Sequence, residues 1–321
     1  MSRITIVVPC YNVEKYIEKT IIAFQQQTFK DFEVIFVDDC SSDNSVEIIR
    51  RVTNHCEIPA RIFRNEKNKG PSFSRRYGIS MAKSEYIAFC DSDDWIDKTF
   101  LEEMFAATEY GEHDIAFCNY RLVYEDGHFI EKKSIHKRDW YKSKKDFLVA
   151  DMDGVCGGIF RKQLFADMIF PDIRNGEDMA IIPVLISKAN SIGTTDSCLY
   201  NYYQRKGSLS TTQTGILVAG IRSSFAYIKE NLSLEYYYSE LEYLGVSNLI
   251  YGSLLNLFKQ GYNTNLACEI CSEFENTFPN WYLNKYVKNM PNYKKMYLWF
   301  AKNRFFWGNF FLSKIHTKLT M

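Results

Sequence analysis

The chain has 321 residues, of which 46% are apolar and 24% charged, a composition typical of a globular protein with enough apolar residues for more than one core. Lys and Arg number 39 and Asp and Glu also number 39, so the formal net charge is zero. This balance excludes a nucleic-acid-binding protein that works through bulk positive charge, and also a disordered acidic scaffold.

Strand-like and helix-like runs alternate from the N-terminus to about residue 120. The spacing predicts strands over 4–8, 32–37, 61–63 and 86–90, and helices over 14–27, 45–52 and 72–81. Continuous apolar strands that alternate with helices indicate an α/β fold with a mostly parallel sheet covered by helices. From about residue 216 helical spacing dominates, which predicts a domain boundary near 215 and a helical C-terminal region over 216–321.

Polar residues follow the predicted strands at their carboxyl ends, where ligands bind in open α/β sheets. Asp91 and Asp93 lie two residues apart after such a strand. Two carboxylates in this position can share a divalent cation that also binds substrate phosphates, although an acidic loop is more often simply solvated. Asp38 and Asp39 end another strand, and we expect one of them to close an Asx-turn. The other is then free to accept a hydrogen bond from a base edge or a ribose.

Four motifs in this order resemble glycosyltransferase family 2, a GT-A-fold (Rossmann-like) family of inverting, sugar-nucleotide-dependent enzymes. The resemblance is dense over about 3–105, thinner to about 210 and absent beyond, so it implies a nucleotide-sugar half over 1–105 and an acceptor half over 106–215. The motifs are Val8-Pro9-Cys10-Tyr11-Asn12, Val37-Asp38-Asp39-Cys40-Ser41-Ser42-Asp43, Asn68-Lys69-Gly70 with Ser74-Arg75, and Asp91-Ser92-Asp93-Asp94-Trp95.

The resemblance implies a role for each matching position on the donor side. Pro9 and Tyr11 flank the nucleobase, and Asp39 reads the uracil edge. Arg75 lies near the base or the diphosphate, and Asp91 contacts the ribose or its phosphate. Asp93 is the ligand of a divalent cation, Mn²⁺ or Mg²⁺. The remaining members of the nucleotide-sugar site are Asn12, Asn68, Gly70 and Ser92. The family usually has Asn after the arginine, whereas this chain has Arg76, which we expect to face solvent.

The acceptor side is represented by Arg174-Asn175-Gly176-Glu177-Asp178, which resembles the family's Glu-Asp motif. The resemblance implies that Asp178 is the catalytic base and that Glu177 lies in the acceptor site. An acidic helix start, favoured by the helix dipole, is the alternative interpretation of the same residues. Cys156-Gly157-Gly158 departs from the family's pattern, and its two glycines predict extra room in the acceptor cleft.

Tyr202 to Ser208 resembles the family's lid loop, in which Arg205 closes over the diphosphate. A guanidinium group suits bidentate contact with phosphate oxygens. A basic turn on the surface is the competing interpretation.

Taken together, the resemblance implies an inverting transferase that moves a sugar from a UDP-sugar to a glycan or lipid-linked saccharide in the synthesis of cell-surface polysaccharide or glycoconjugate. A nucleotidyltransferase would require a glycine-rich basic loop after the first strand, and this chain lacks one. A non-catalytic carbohydrate-binding or scaffold protein on a degenerate transferase fold is the alternative from another class.

The C-terminal segment 276–321 carries eight Lys or Arg residues, no Asp or Glu, and many aromatic residues. This composition is typical of segments at an anionic membrane surface, where each basic residue contributes about 1 kcal/mol. On a helical wheel, however, Lys302, Arg304 and Lys314 do not share a face. Packing of the rings on the catalytic domain, or a homo-oligomer interface, is equally compatible with the sequence. With no predicted signal peptide or membrane span, we expect a cytoplasmic protein, either free or peripheral on the cytoplasmic face of a membrane.

Overall fold

The computed structural model describes residues 2–56, 58–135, 141–150, 154–173, 175–205 and 214–320. The described residues form two compact units. The first unit is built from 1–144, 150–174 and 185–206, and the second from 145–149, 175–184 and 207–321. The second unit therefore includes two short segments that precede the boundary predicted near residue 215.

The first unit contains one sheet, which has nine strands within the described residues. The strands are β1 Ile4–Cys10, β2 Phe32–Asp38, β3 Ala60–Arg64, β4 Tyr86–Phe89, β5 Trp95–Ile96, β6 Ile115–Tyr124, β7 Phe129–Lys132, β8 Gly158–Arg161 and β9 Ile192–Gln204. They are ordered β3-β2-β1-β4-β8-β6-β9-β5, and β7 pairs with β6 at the side.

The first four strands pair in parallel, with β1 between β2 and β4. The apolar residues of β1, β2 and β4 are buried almost without interruption, as expected for strands that are covered on both faces, whereas β3 is only partly buried. The second half of the sheet is mixed, because β8 runs antiparallel to both β4 and β6 whereas β6 and β9 are parallel. The α/β fold is thus confirmed, and its sheet is parallel mainly over the N-terminal half.

Helices α1 to α4 connect the strands of the first unit, and their bounds are α1 Ile17–Gln25, α2 Ser45–His55, α3 Pro71–Met81 and α4 Phe100–Ala107. Two further helices, α5 Lys144–Leu148 and α6 Glu177–Lys188, contribute residues to both units. The helices predicted in this region begin and end within a few residues of those observed.

The second unit is helical throughout its described residues. Its helices are α7 Thr214–Asn231, α8 Leu234–Gly245, α9 Leu254–Gln260, α10 Thr264–Thr277, α11 Lys285–Lys288, α12 Asn292–Lys302 and α13 Phe306–Thr320. A π-helical segment, Val246–Ser253, joins α8 to α9. The predicted helical C-terminal region is therefore present. Among the described helices, none combines the length and the apolar character needed to cross a membrane.

Candidate active site

The carboxyl ends of β1 and β2 are tied together by hydrogen bonds between the loops that follow them. The Asn12 backbone N–H donates to Ser41 Oγ at 3.0 Å, and the Ser42 N–H donates to Asn12 Oδ1 at 2.9 Å. Asn12 itself adopts a positive φ of 51°, which Asn tolerates better than most residues. Parallel pairing of β1 with β2 and β4 therefore places three of the resemblance motifs at one edge of the sheet.

Asp38 is the aspartate that closes a turn. Its two carboxylate oxygens accept from the Ser41 N–H at 3.2 and 3.3 Å, and Arg64 Nε lies 3.2 Å from Oδ2. The carboxylate is fully buried while the arginine is about half exposed. The prediction that one of the two neighbouring aspartates serves the turn is confirmed.

Asp39 is buried, and its carboxylate is not free in the way that the sequence suggested. Oδ1 accepts from Asn65 Nδ2 at 2.7 Å and from the Lys69 N–H at 2.9 Å, and Oδ2 accepts from the Gly70 N–H at 2.7 Å. The carboxylate therefore holds the loop before α3 in place. Because an ionised carboxylate offers about four acceptor positions, a bond to a ligand would be the fourth.

Asp91 and Asp93, which follow β4, are each paired with an arginine from a distant part of the chain. Arg75, buried in α3, donates to Asp91 Oδ1 at 2.6 Å, and Arg205, at the end of β9, donates to Asp93 Oδ2 at 2.5 Å. Burial and, next, the charge of Asp91 raise the pKa of Asp93, while Arg205 opposes that rise. The structure thus brings together four predicted site residues as two neighbouring ion pairs.

Tyr200 on β9 fixes the acidic loop formed by residues 91–94, and the sequence analysis missed it. Its hydroxyl is buried, donates to Asp94 Oδ2 at 2.5 Å and accepts from the Asp91 N–H at 3.1 Å. Asp94 Oδ1 accepts from the Tyr203 N–H at 2.8 Å. Burial, followed by the charges of Asp91 and Asp93, raises the pKa of the Asp94 carboxyl well above its ordinary value.

Aromatic rings stand beside the Arg205–Asp93 pair, and the sequence analysis missed them as well. The Tyr203 ring centroid lies 6.0 Å from that of Tyr16 and 6.1 Å from that of Trp95. The Arg205 guanidinium stacks 5.0 Å from the Tyr16 ring, which holds the arginine next to Asp93. Trp95 and Tyr203 belong to recognised motifs, whereas Tyr16 does not, and the contacts among the three rings were not predicted.

The other predicted donor-side residues surround these pairs with different degrees of exposure. Tyr11 is about half exposed, Asn68 is exposed, and Pro9 is the last but one residue of β1. Ser92 is buried, and its carbonyl accepts from Thr20 Oγ1 at 3.2 Å. Arg76 is exposed, as its sequence position predicted.

The donor set at the acidic loop fits a hard divalent cation. Within the described ranges, no group of three or more His, Cys, Asp or Glu side chains is arranged to hold a metal. Asp91 and Asp93 supply two carboxylates, and burial, followed by the negative charge of Asp91, raises the pKa of Asp93 while Arg205 opposes the rise. One or two carboxylates completed by phosphate oxygens and water form the usual magnesium-type site in nucleotide enzymes.

Glu177 and Asp178 begin α6 and belong to the second unit. Gly176, which precedes them, has a φ of +93°, and its carbonyl accepts from Ser224 Oγ of α7 at 2.8 Å. A Cβ on Gly220 of α7 would lie 2.1 Å from the Asn175 carbonyl oxygen, so only glycine permits this approach. Helix α7 thereby fixes the start of α6. Arg174, the first residue of the predicted motif, lies outside the described residues.

Two further predictions concern Gly157 with Gly158 and the predicted lid loop. The expected extra room at Gly157 and Gly158 is wrong, because a Cβ on Gly158 would lie 2.7 Å from the Phe160 ring and 3.2 Å from that of Phe117. Gly158 permits close packing of rings, and a Cβ on Gly157 would lie 3.3 Å from the Cys118 carbonyl oxygen, so neither glycine opens a cleft. In the predicted lid loop, 206–208 lie outside the described residues, whereas Arg205 lies inside them.

The fold is similar to that of solved glycosyltransferases. The structure of Staphylococcus aureus TarS 1–349 in complex with UDP matches with a TM-score of 0.71 at 21% identity, covering 100% of this chain and 92% of that one. The mixed sheet flanked by helices, with carboxylates after β2 and β4, therefore defines a protein of the GT-A fold class.

The sequence comparisons identify the family. The chain belongs to glycosyl transferase family 2, whose sequence model matches residues 5–167, and it is a glycosyltransferase. It is 29% identical over 227 residues to the glycosyltransferase GlyG of Streptococcus pneumoniae, and the matched region covers 65% of this chain and 73% of GlyG. It is 27% identical over 185 residues to the GalNAc(5)-diNAcBac-PP-undecaprenol beta-1,3-glucosyltransferase of Campylobacter jejuni, which covers 56% of this chain and 59% of that protein.

Proposed function

We propose that the protein transfers a sugar from a UDP-sugar to a glycan or lipid-linked saccharide with inversion at the anomeric carbon. The observation that carries the proposal is the pair of carboxylates, Asp91 and Asp93, held beside Arg75 and Arg205 at the end of β4. The UDP bound in TarS supports a uridine nucleotide, and the undecaprenol-linked acceptor in the name of the Campylobacter relative supports a lipid-linked acceptor.

On the donor side, Asp93 and Asp91 would hold Mn²⁺ or Mg²⁺, which supplies positive charge to the departing diphosphate when bound. Arg205 is proposed to bind the diphosphate, and to do so its guanidinium must leave the Asp93 carboxylate for phosphate oxygens. Asp39 and the loop that it holds would contact the uracil, together with Pro9 and Tyr11.

On the acceptor side, Asp178 is proposed to remove the proton from the acceptor hydroxyl, with Glu177 binding the acceptor. Both residues lie in the first turn of α6, where the fixed backbone of 175–176 determines their position. A base that contributes to proton transfer in this way accelerates a reaction by about 10² to 10⁴-fold. Direct displacement with a single base inverts the anomeric configuration.

A non-catalytic carbohydrate-binding protein is the alternative, and turnover separates the two. We would measure UDP release from a panel of UDP-sugars with candidate acceptors, with and without Mn²⁺. The proposal predicts metal-dependent turnover with at least one donor, and a loss of about 10² to 10⁴-fold in Asp178→Asn. Full transfer by Asp178→Asn would disprove the role of that residue, and absence of turnover with every donor would disprove the UDP-sugar assignment.

The matched control is Asp172→Asn, which alters an exposed aspartate a few residues before α6. This variant should retain the wild-type rate. Product stereochemistry, read from the anomeric coupling constant by NMR, tests inversion separately, and retention of configuration would contradict a single displacement.

A further inference from the structure

The aromatic and large apolar residues of 276–321 include a buried set and an exposed set, which the sequence could not separate. Trp281, Tyr297 and Phe306 are buried within the second unit and form part of its core. A second set is exposed on α12, α13 and the turn between them, with 38 to 63% of each residue accessible. We call this second set the C-terminal aromatic face, and its members are Tyr293, Met296, Trp299, Phe305, Trp307, Phe311 and Ile315.

The C-terminal aromatic face is continuous across the two helices. On α13, Trp307, Phe311 and Ile315 are spaced by four residues and therefore line one side of the helix. The Trp299 ring centroid of α12 lies 5.8 Å from that of Phe305, and the Phe300 centroid lies 5.7 Å from that of Trp307. Contiguous exposed apolar surface of this kind marks an interaction site.

Six of the eight basic residues of the segment fall into two sets. Arg304 forms an ion pair with Glu275 at 2.6 Å, Lys314 donates to the Lys259 carbonyl at 2.8 Å, and Lys302 lies against the Tyr282 ring. Each of these three residues therefore has a partner within the protein.

Lys285, Lys288 and Lys295 are exposed and, within the described part of the chain, form no ion pair with a carboxylate. Lys295 is one helical turn from Trp299, and its Nζ lies 3.4 Å from the Lys288 carbonyl oxygen. Lys295 therefore places positive charge at the border of the C-terminal aromatic face, with Lys288 beside it and Lys285 three residues before Lys288 on α11.

The charges favour an anionic partner over a second copy of the chain. In a symmetric dimer the same surface meets itself, so the lysines of both copies would approach one another. Residues 276–321 contain no Asp or Glu that could offset them. Exposed Trp and Tyr with neighbouring Lys are instead the residues that lie at the boundary between lipid headgroups and acyl chains.

We propose that the C-terminal aromatic face binds the surface of an anionic lipid bilayer, with Trp299, Trp307 and Phe311 inserted at headgroup depth and Lys285, Lys288 and Lys295 against the lipid phosphates. This proposal is independent of the proposed transferase chemistry, because it concerns binding in the absence of donor and acceptor.

Sedimentation of the full chain with vesicles tests the proposal. The protein should bind vesicles of equimolar phosphatidylglycerol and phosphatidylcholine at low salt, bind pure phosphatidylcholine much more weakly, and dissociate as salt is raised. Combined Lys285→Gln, Lys288→Gln and Lys295→Gln should weaken partitioning by about a hundredfold. Combined Trp299→Ala, Trp307→Ala and Phe311→Ala should also abolish sedimentation.

Matched control variants alter the same residue types on the first unit. Lys30→Gln, Lys83→Gln and Lys98→Gln remove three exposed lysines, and Tyr110→Ala with Phe129→Ala remove two exposed rings. Both controls should bind anionic vesicles as the wild type does. Loss of binding in the controls to the same extent would contradict the proposed face.

A measurement on the wild type avoids dependence on the folding of any variant. Brominated phosphatidylglycerol in the vesicles should quench the fluorescence of the exposed Trp299 and Trp307, whereas Trp281 is buried and out of reach. Absence of quenching and of sedimentation at low salt would overturn the proposal. A stable dimer in sedimentation velocity that Trp307→Ala dissociates would also overturn it, because a second copy would then be the occupant.

Discussion

The hydrogen bonds of the Tyr200 hydroxyl test most sharply how the acidic loop is held in place. Tyr200→Phe removes only that oxygen, and with it the bonds to Asp94 Oδ2 and from the Asp91 N–H. A hydrogen bond to a carboxyl group contributes about 1–3 kcal/mol, and the part-buried Asp91 N–H left without a partner adds about 1 kcal/mol, the lower end of that cost. We therefore expect the free energy of unfolding to fall by about 2–4 kcal/mol.

Urea unfolding followed by circular dichroism gives the global effect, and amide hydrogen exchange gives the local one. With an m-value of about 2 kcal/mol/M, the urea midpoint should fall by about 1–2 M. Exchange of the Asp91 amide should accelerate by about 30- to 1,000-fold, because each 1.36 kcal/mol corresponds to a factor of ten. Tyr110→Phe alters an exposed tyrosine and should change neither quantity. A urea midpoint of Tyr200→Phe equal to that of the wild type would show that the hydrogen bonds of the Tyr200 hydroxyl do not stabilise the fold.

Two further predictions concern the second unit. Gly220→Ala forces a Cβ against the Asn175 carbonyl oxygen and should lower the free energy of unfolding in urea by about 1–3 kcal/mol. Gly215→Ala adds a Cβ in open space on the same helix and should leave that free energy unchanged. Equal urea midpoints for the two variants would show that the contact is dispensable. Burial raises the pKa of the Glu242 carboxyl above its ordinary value of 4.5, and the hydrogen bond from Asn284 opposes this rise. Because the folded state then binds the proton more tightly than the unfolded state, protonated Glu242 stabilises the fold below pH 4.5. This stabilisation is lost as pH rises through the pKa of the folded state. Glu242→Gln can still accept the hydrogen bond from Asn284, and it should melt at a higher temperature than the wild type near neutral pH. The difference in melting temperature should vanish below pH 4.5. A difference that does not depend on pH would contradict the raised pKa of Glu242.

Local pattern predicted the N-terminal half of the fold because each element there carries its own signal. Buried parallel strands are continuous apolar runs, and the motifs after them fall at one edge once β1 lies between β2 and β4. The mixed half was not predicted from the sequence, although β6 has ten residues and β9 thirteen, because burial along both strands is interrupted and gives no continuous apolar run. β5 has only two residues and gives no period at all, so its place depends on tertiary pairing.

The candidate site shows the same division between local and distant contacts. Asp91 and Asp93 could be recognised because they follow directly on a predicted strand. Tyr200 could not, since it is 106 residues from Asp94 and resembles the other tyrosines of the chain. Asp39 accepts hydrogen bonds from Asn65 and from two backbone N–H groups, and these likewise depend on how the loop before α3 folds back.

The Gly158 prediction was wrong for a related physical reason. A glycine in a sequence signals either space or close approach, and only the neighbouring Phe117 and Phe160 rings decide between the two. The C-terminal segment presented the same ambiguity, since buried and exposed rings alternate there without a clear period.

Isothermal titration of UDP shows whether the carboxylates after β4 bind a nucleotide diphosphate together with a divalent cation. In the wild type, Mn²⁺ should strengthen UDP binding by roughly tenfold or more, equivalent to about 1.4 kcal/mol. In Asp93→Asn that gain should disappear. UDP binding that is unaffected by Mn²⁺, or a gain that persists in Asp93→Asn, would contradict the account.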